Sequence, residues 1–121
     1  MIEILAGFSE NVIAMRASGH ITRQDYDSVL IPRVEAAART HPKLRLYYEI
    51  GAEYTGIAPG AMWEDAKVGI EYWSRWERMA VVTDIAWIAH TLHAFGFVMP
   101  GALRVFPTAE RDAARAWIKA D

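Results

Sequence analysis

Two histidines are the first residues whose spacing could support chemistry. His90 and His93 lie three positions apart in a segment whose pattern predicts a helix, so both could face one metal ion. A zinc site needs three or four ligands, and no carboxylate stands beside them at a matching helical spacing. The pattern therefore favours a solvent-facing or cleft-lining pair, and we expect no metal site.

Carboxylates and hydroxyls form no catalytic pattern either. Glu64 and Asp65 are an acidic pair at the start of a predicted helix, where negative charge meets the positive end of the helix dipole. The serines lack the Gly-x-Ser-x-Gly context of a nucleophile, and there is no glycine-rich phosphate loop. We therefore expect no catalytic residue and no cofactor, although an arrangement assembled only by the fold would escape an argument from spacing.

The aromatic residues are more informative. They cluster on and just after two predicted helices, the second and third of the chain: Trp63, Tyr72, Trp73, Trp76, Trp87, Phe95 and Phe97. In the third helix one stripe should pack on a sheet, namely Ile85, Ile88, Ala89, Leu92 and Phe95. An uncharged second face remains, containing Trp87, His90, Thr91 and Ala94. Such a face should contact another helix, a second subunit, a bilayer surface or an apolar ligand.

Composition bounds the class of protein. A chain of 121 residues with 53% hydrophobic and 23% charged residues predicts one folded domain, residues 1–121. The net charge is -2 and neither sign forms a long block, which argues against nucleic acid as a partner. The absence of cysteine excludes disulfides and thiolate sites, and is compatible with a reducing cytoplasm.

Localisation is predicted from the apolar segments. The N-terminal residues lack the basic and long apolar regions of a secretory signal, so we expect a cytoplasmic protein. The stretch 85–103 carries no Asp, Glu, Lys or Arg, but its histidines and glycines argue against a membrane span.

Apolar periodicity and turn residues predict the elements that position the aromatic side chains. Apolar-rich segments at 1–6 and 11–17 predict a hairpin of two strands, and further strands are predicted at 44–50, 78–83 and 103–106. Residues 51–59 are predicted to form a loop. The order ββαβαβαβα implies an α/β fold with a mixed, mostly parallel five-stranded sheet and flanking helices.

Capping and helix-breaking residues mark the helices. Thr22 should cap the first helix through Asp25, and Pro32 predicts a kink or two abutting segments. Asp84 and Thr108 are predicted caps of the third and last helices. The core stripe predicted for the second helix is Met62, Ala66, Gly69, Ile70 and Trp73.

A recognisable pattern runs through the second half of the chain. It comprises Arg78–Asp84, Trp87, Phe95–Gly96, Pro100, Arg104–Phe106, Glu110 and Ala116–Ile118. This pattern resembles the SpoIIAA-like family of small, single-domain bacterial proteins. Looser agreement at Gly19, Asp25–Tyr26 and Pro32 extends the resemblance over nearly the whole chain. The resemblance implies a STAS-like fold, and association with apolar ligands or membranes has been suggested for the class.

In signalling members of the wider STAS group, a Ser or Thr following an Asp is phosphorylated at the start of the helix after the third strand. Here the corresponding segment is 53–61, where Pro59-Gly60 stands near the acceptor position and Thr55 is the aliphatic hydroxyl nearby. This departure ranks phosphorylation of Thr55 third among the functional hypotheses.

The leading hypothesis is a non-enzymatic binding domain for a small apolar or amphiphilic, lipid-like ligand between the second and third helices. The predicted lining is Trp63, Ile70, Trp73, Trp87, Thr91, Phe95 and Phe97. The second hypothesis is a module that uses the Trp87 face for homodimerisation, protein docking or peripheral membrane association. The competing structural interpretation is that this aromatic face merely packs against other helices.

Overall fold

Five strands form one mixed sheet in this computed structural model, which describes residues 1–97, 99 and 101–120. Pro100 of the family pattern lies outside these residues. The strands lie side by side in chain order: β1 Ile2–Ile4, β2 Val12–Ile21, β3 Leu44–Ile57, β4 Trp76–Thr83 and β5 Ala102–Phe106. β1 pairs antiparallel with β2, and the remaining pairs are parallel. The predicted α/β class, edge hairpin and mostly parallel sheet are therefore confirmed.

Helices cover both faces of the sheet. They are α1 Arg23–Asp25, a π-helical turn Tyr26–Leu30, α2 Ile31–Thr40, α3 Pro59–Glu71, α4 Ala86–Gly96 and α5 Arg111–Lys119, with 3-10 turns at Trp73–Arg75 and Thr108–Glu110. The predicted second and third helices are α3 and α4. Among the described residues, no helix combines the length and apolar character that crossing a bilayer requires.

The start of the first helical stretch follows the sequence prediction. The Thr22 side chain accepts from the Asp25 amide at 3.2 Å, and the Asp25 carboxylate accepts from the Thr22 amide at 2.8 Å. The π-helical turn then precedes Pro32, which stands in the first turn of α2. The two predicted abutting segments are thus confirmed.

Two apolar clusters sandwich the sheet. The larger joins the π-helical turn, α2 and α3 to one face and includes Ile13, Met15, Tyr26, Leu30, Val34, Leu44, Ala61, Val68 and Trp76. The smaller joins α5 to the other face and includes Val12, Ala14, Tyr47, Ala80, Val82, Phe106, Ala114 and Ile118. α4 lies on the same face as α3, where Gly96 approaches the Leu103 side chain of β5.

Strand β3 is longer than predicted. The predicted loop 51–59 is wrong through Ile57, because the extended β2 offers partners at Gly19, His20 and Ile21. Register irregularities accompany this pairing, and Gly19 and Gly56 have φ values of +64° and +145° that favour glycine.

The core stripe predicted for α3 is wrong. The buried residues on this helix are Ala61, Glu64 and Val68, whereas Met62 is 57% and Ile70 is 75% exposed. The helix is therefore rotated relative to the prediction, with Ala61, Glu64 and Val68 toward the core. This rotation turns Gly69 and Ile70 toward a gap beside α4.

Asp84 and Thr108 do not cap the helices that follow them. Ile85 occupies the N-cap of α4 and no side chain caps that helix, whereas Asp84 Oδ1 accepts from the Thr108 amide at 2.9 Å. The two predicted caps thus bond each other and tie the end of β4 to the end of β5. This backbone hydrogen bond lowers the pKa of the Asp84 carboxyl.

Candidate ligand-binding cavity

A cavity of about 530 Å³ lies between α3 and α4, above the sheet. Its floor is formed by strand side chains, including Met15, Leu46, Tyr48, Met79, Val81 and Leu103. One wall comes from the first helical stretch and α3, including Tyr26, Leu30, Val34, Asp65, Val68 and Gly69. The other wall comes from α4 and contains Trp87, Ile88, Thr91, Leu92 and Phe95. The lining is therefore predominantly apolar.

The structure brings five of the seven predicted lining residues to this cavity. These are Ile70, Trp73, Trp87, Thr91 and Phe95. Trp63 and Phe97 are outside its lining, and they are 65% and 91% exposed. Trp87 is also 63% exposed. Packing within the chain therefore leaves part of the aromatic surface of α3 and α4 accessible.

Asp65 is the carboxyl group of the cavity wall. The Tyr26 hydroxyl donates to Asp65 Oδ1 at 3.0 Å, and the Tyr48 hydroxyl joins the same network beside Tyr26. Asp65 is solvent-exposed along part of its side chain, while neighbouring protein atoms partly desolvate its carboxyl. The resulting desolvation raises its pKa, and the Tyr26 hydrogen bond offsets only part of that rise.

Sequence reasoning missed this role of Asp65. It grouped Asp65 with Glu64, but the two side chains have different surroundings. Glu64 is buried against the cations of Arg23 and Lys67, at 3.5 and 3.4 Å. The sequence does contain a signal for this difference. Consecutive residues of a helix lie about 100° apart around its axis, so Glu64 and Asp65 cannot share the same surroundings on α3.

Two other hydroxyls at the cavity, those of Thr91 and Tyr26, already donate hydrogen bonds within the protein. Thr91 Oγ1 donates to the Trp87 carbonyl oxygen at 2.8 Å, one turn earlier in α4. Tyr26 is only 1% exposed, and burial raises the pKa of its hydroxyl. The geometry therefore leaves Asp65 as the ionisable group best placed to meet a guest molecule.

The two histidines of α4 and Thr55 are exposed at the surface. His90 and His93 are exposed on α4, and no group of three metal-ligating side chains occurs within the described ranges. Thr55 is exposed in β3, before Pro59 begins α3. It therefore lies in a strand and not at a helix N-terminus; its phosphorylation stays a prediction.

A charged cluster occupies the opposite face of the sheet. Glu49 is 3% exposed and accepts from Tyr47 at 2.6 Å and from Arg16 at 2.8 Å, while Arg111 lies 3.0 Å away. Burial alone would raise the pKa of Glu49, but these hydrogen bonds and the nearby guanidinium charges lower it overall. Burial also raises the pKa of Tyr47 to about 12. This cluster links β2, β3 and α5.

The fold and the cavity together define a small α/β domain with a STAS-like sheet and an apolar cavity between two of its helices. The chain belongs to the SpoIIAA-like family, whose model matches residues 12–119. A search of curated proteins found no match.

A solved structure supports the same fold. It is the crystal structure of an uncharacterised protein of the DUF3478 family, with a SpoIIAA-like fold, from Shewanella loihica PV-4. The TM-score is 0.73 at 22% sequence identity, and the similarity covers 97% of this chain and 93% of that one. The resemblance inferred from the sequence pattern is therefore confirmed at the level of family and fold.

Proposed function

We propose that this chain is a non-enzymatic binding domain that accepts a small apolar or amphiphilic molecule between α3 and α4. The supporting observation is the cavity itself. Its volume of about 530 Å³ falls in the range of about 300–1,000 Å³ typical of small-molecule sites. Apolar side chains dominate its walls, so an apolar guest would exchange water for hydrocarbon and ring contacts.

A binding role fits the polar groups better than a catalytic one. Within the described lining, Asp65, Thr91, three tyrosines and the indole N–H groups of three tryptophans supply the polar side-chain atoms, and no nucleophile is paired with a histidine base. The Thr91 hydroxyl already donates to a backbone carbonyl. These groups can orient a guest without reacting with it.

Gly69 provides a direct test. It lines the cavity, and a Cβ added there would meet no atom within 4 Å. Gly69→Phe should therefore place a ring inside the site and obstruct it, whereas Gly69→Ala should leave most of it open. Nile red, a neutral apolar probe, should bind wild type and Gly69→Ala, and its affinity should fall at least about tenfold in Gly69→Phe.

Native mass spectrometry of protein purified without delipidation gives an independent measurement. A passenger retained by wild type and lost in Gly69→Phe is the expected result. The proposal fails if no passenger is found and Nile red binds folded Gly69→Phe as tightly as wild type. A thermal melt of each variant establishes that the blocked protein is folded.

A second candidate function is docking on a membrane surface. The favouring observation is the set of large apolar side chains left exposed on and after α3 and α4: Met62, Trp63, Ile70, Trp87, Phe95 and Phe97. Indole rings combine apolar area with an N–H donor and suit the headgroup level of a bilayer. Self-association through the same face is the alternative outcome that the same variants would reveal.

A further inference from the structure

Among the described residues, the polar groups of the cavity include one carboxyl, that of Asp65, and no cation. Asp65 is the charged side chain of the described lining, which contains no lysine, arginine or histidine. A guest with a polar head group would therefore meet an acid, tyrosine hydroxyls and indole N–H groups, and would find no cation. Head-group chemistry can be inferred from this imbalance.

The hydrogen-bond network leaves one side of Asp65 open. Tyr26 donates to Oδ1 from behind the wall, where it is almost completely buried. Among the described residues no donor contacts Oδ2. Since Asp65 lines the cavity, Oδ2 is a free acceptor for a molecule inside it.

We infer that the guest carries a hydrogen-bond-donating head group without negative charge, an amine or a hydroxyl, and that Asp65 accepts its hydrogen bond. This inference rests on the proposed function, because it describes the occupant of the same cavity. A fatty-acid carboxylate would be disfavoured, since it would lie beside a second carboxyl with no cation between them. An amine would gain an ion pair, and a hydroxyl would gain a neutral or charge-assisted hydrogen bond.

The local chemistry supports this preference. Desolvation raises the pKa of the Asp65 carboxyl, so the site favours either a neutral acid or an acid paired with a cation. A neutral acid can bond a hydroxyl. A paired carboxylate can bond an amine.

Three probes with the same hydrocarbon chain separate the head groups: dodecylamine, dodecanol and dodecanoate, each below its micellar concentration. Binding is measured by tryptophan fluorescence and by calorimetry. Wild type should bind the amine and the alcohol at least about tenfold more tightly than the carboxylate. A tighter amine identifies a cationic guest, and a tighter alcohol identifies a neutral one.

Asp65→Asn keeps the side-chain shape and removes the acid. Dodecylamine should lose about tenfold in affinity, while dodecanoate should approach dodecanol. Glu71→Gln is the matched control, because Glu71 is an exposed carboxylate on α3 outside the cavity lining. It removes the same charge and should leave all three affinities unchanged. Should Asp65→Asn not fold, Tyr26→Phe removes the supporting hydroxyl and should reduce the same discrimination.

Different outcomes would overturn the head-group inference and the proposed function. If dodecanoate binds wild type most tightly and Asp65→Asn has no effect on it, the head-group inference is overturned while the cavity remains a binding site. If none of the three probes binds wild type, and Nile red does not distinguish Gly69→Phe from wild type, the proposed function itself is overturned.

Discussion

Trp73 and Phe95 meet edge to face, with ring centroids 5.7 Å apart and ring planes at 80°. Trp73 follows α3 and Phe95 lies on α4, so this pair joins the two sides of the cavity. Both rings also line it.

Phe95→Ala should therefore weaken the wall of the cavity. We expect the free energy of unfolding to fall by about 1 kcal/mol, since such pairs contribute about 0.5–1.5 kcal/mol beyond area burial. Nile red affinity should fall as well, because a lining ring is lost. Phe97→Ala is the control, as Phe97 is 91% exposed and outside the lining. Equal effects of the two variants in urea titrations would contradict this assignment.

Trp87 and Trp63 allow the two functional candidates to be separated. The two indoles are 63% and 65% exposed, but only Trp87 lines the cavity. If the exposed face docks on membranes, Trp87→Glu and Trp63→Glu should each reduce flotation with phosphatidylcholine–phosphatidylglycerol vesicles by about tenfold. If the cavity carries the function, Trp87→Glu should weaken Nile red binding and Trp63→Glu should not.

Sedimentation completes that experiment. A change in sedimentation coefficient in both variants, without any flotation of wild type, would assign the face to self-association. Wild type that neither floats nor self-associates would exclude the docking candidate and leave the cavity proposal unaffected.

Glu49 should stabilise the fold in a pH-dependent way. Glu49→Gln removes the charge that pairs with Arg16 and Arg111, and we expect a loss of about 2 kcal/mol, as for hydrogen bonds to charged groups. The folded-state pKa of Glu49 lies below its usual 4.5. Its stabilisation is therefore complete above about pH 4.5 and is lost as the pH falls through the lowered value.

Urea titrations of wild type and Glu49→Gln at a series of pH values measure this effect. The difference between the two proteins should be largest near neutral pH and shrink in acid. Glu53→Gln, an exposed carboxylate on the same strand, should behave like wild type throughout. A difference that is constant with pH would assign the loss to packing and not to ionisation.

Local sequence patterns predicted the sheet well because its central strands are nearly continuous apolar runs. Met79–Val82 could be recognised as a buried parallel strand, and Thr22 and Asp25 as a helix start, from adjacent residues alone. The length of β3 could not be predicted in this way. Its polar end becomes a strand because the distant β2 supplies partners for it.

The candidate site, too, could be predicted from the sequence only where its residues lie on one helix. Helical spacing identified the aromatic surface of α4 and Thr91, since neighbours on one helix are fixed by its period. The hydrogen bond between Tyr26 and Asp65 spans 39 positions in the chain and exists only in the folded protein. The same limit applies to Asp84, whose partner Thr108 lies 24 positions away.

One substitution made at two glycines should have opposite effects on stability. A Cβ at Gly101 would lie 2.6 Å from the Glu77 carbonyl oxygen and would also clash with the Trp76 carbonyl oxygen, so the backbone that leads into β5 would have to move away from β4. Gly101→Ala should therefore destabilise by about 3 kcal/mol. Gly69→Ala should stabilise by up to about 1 kcal/mol, because Gly69 is inside α3 and its Cβ would meet open space. A urea midpoint that is not lowered in Gly101→Ala would mean that β5 does not approach β4 at Gly101 as closely as described, whereas a lowered midpoint in Gly69→Ala would contradict the open space at Gly69.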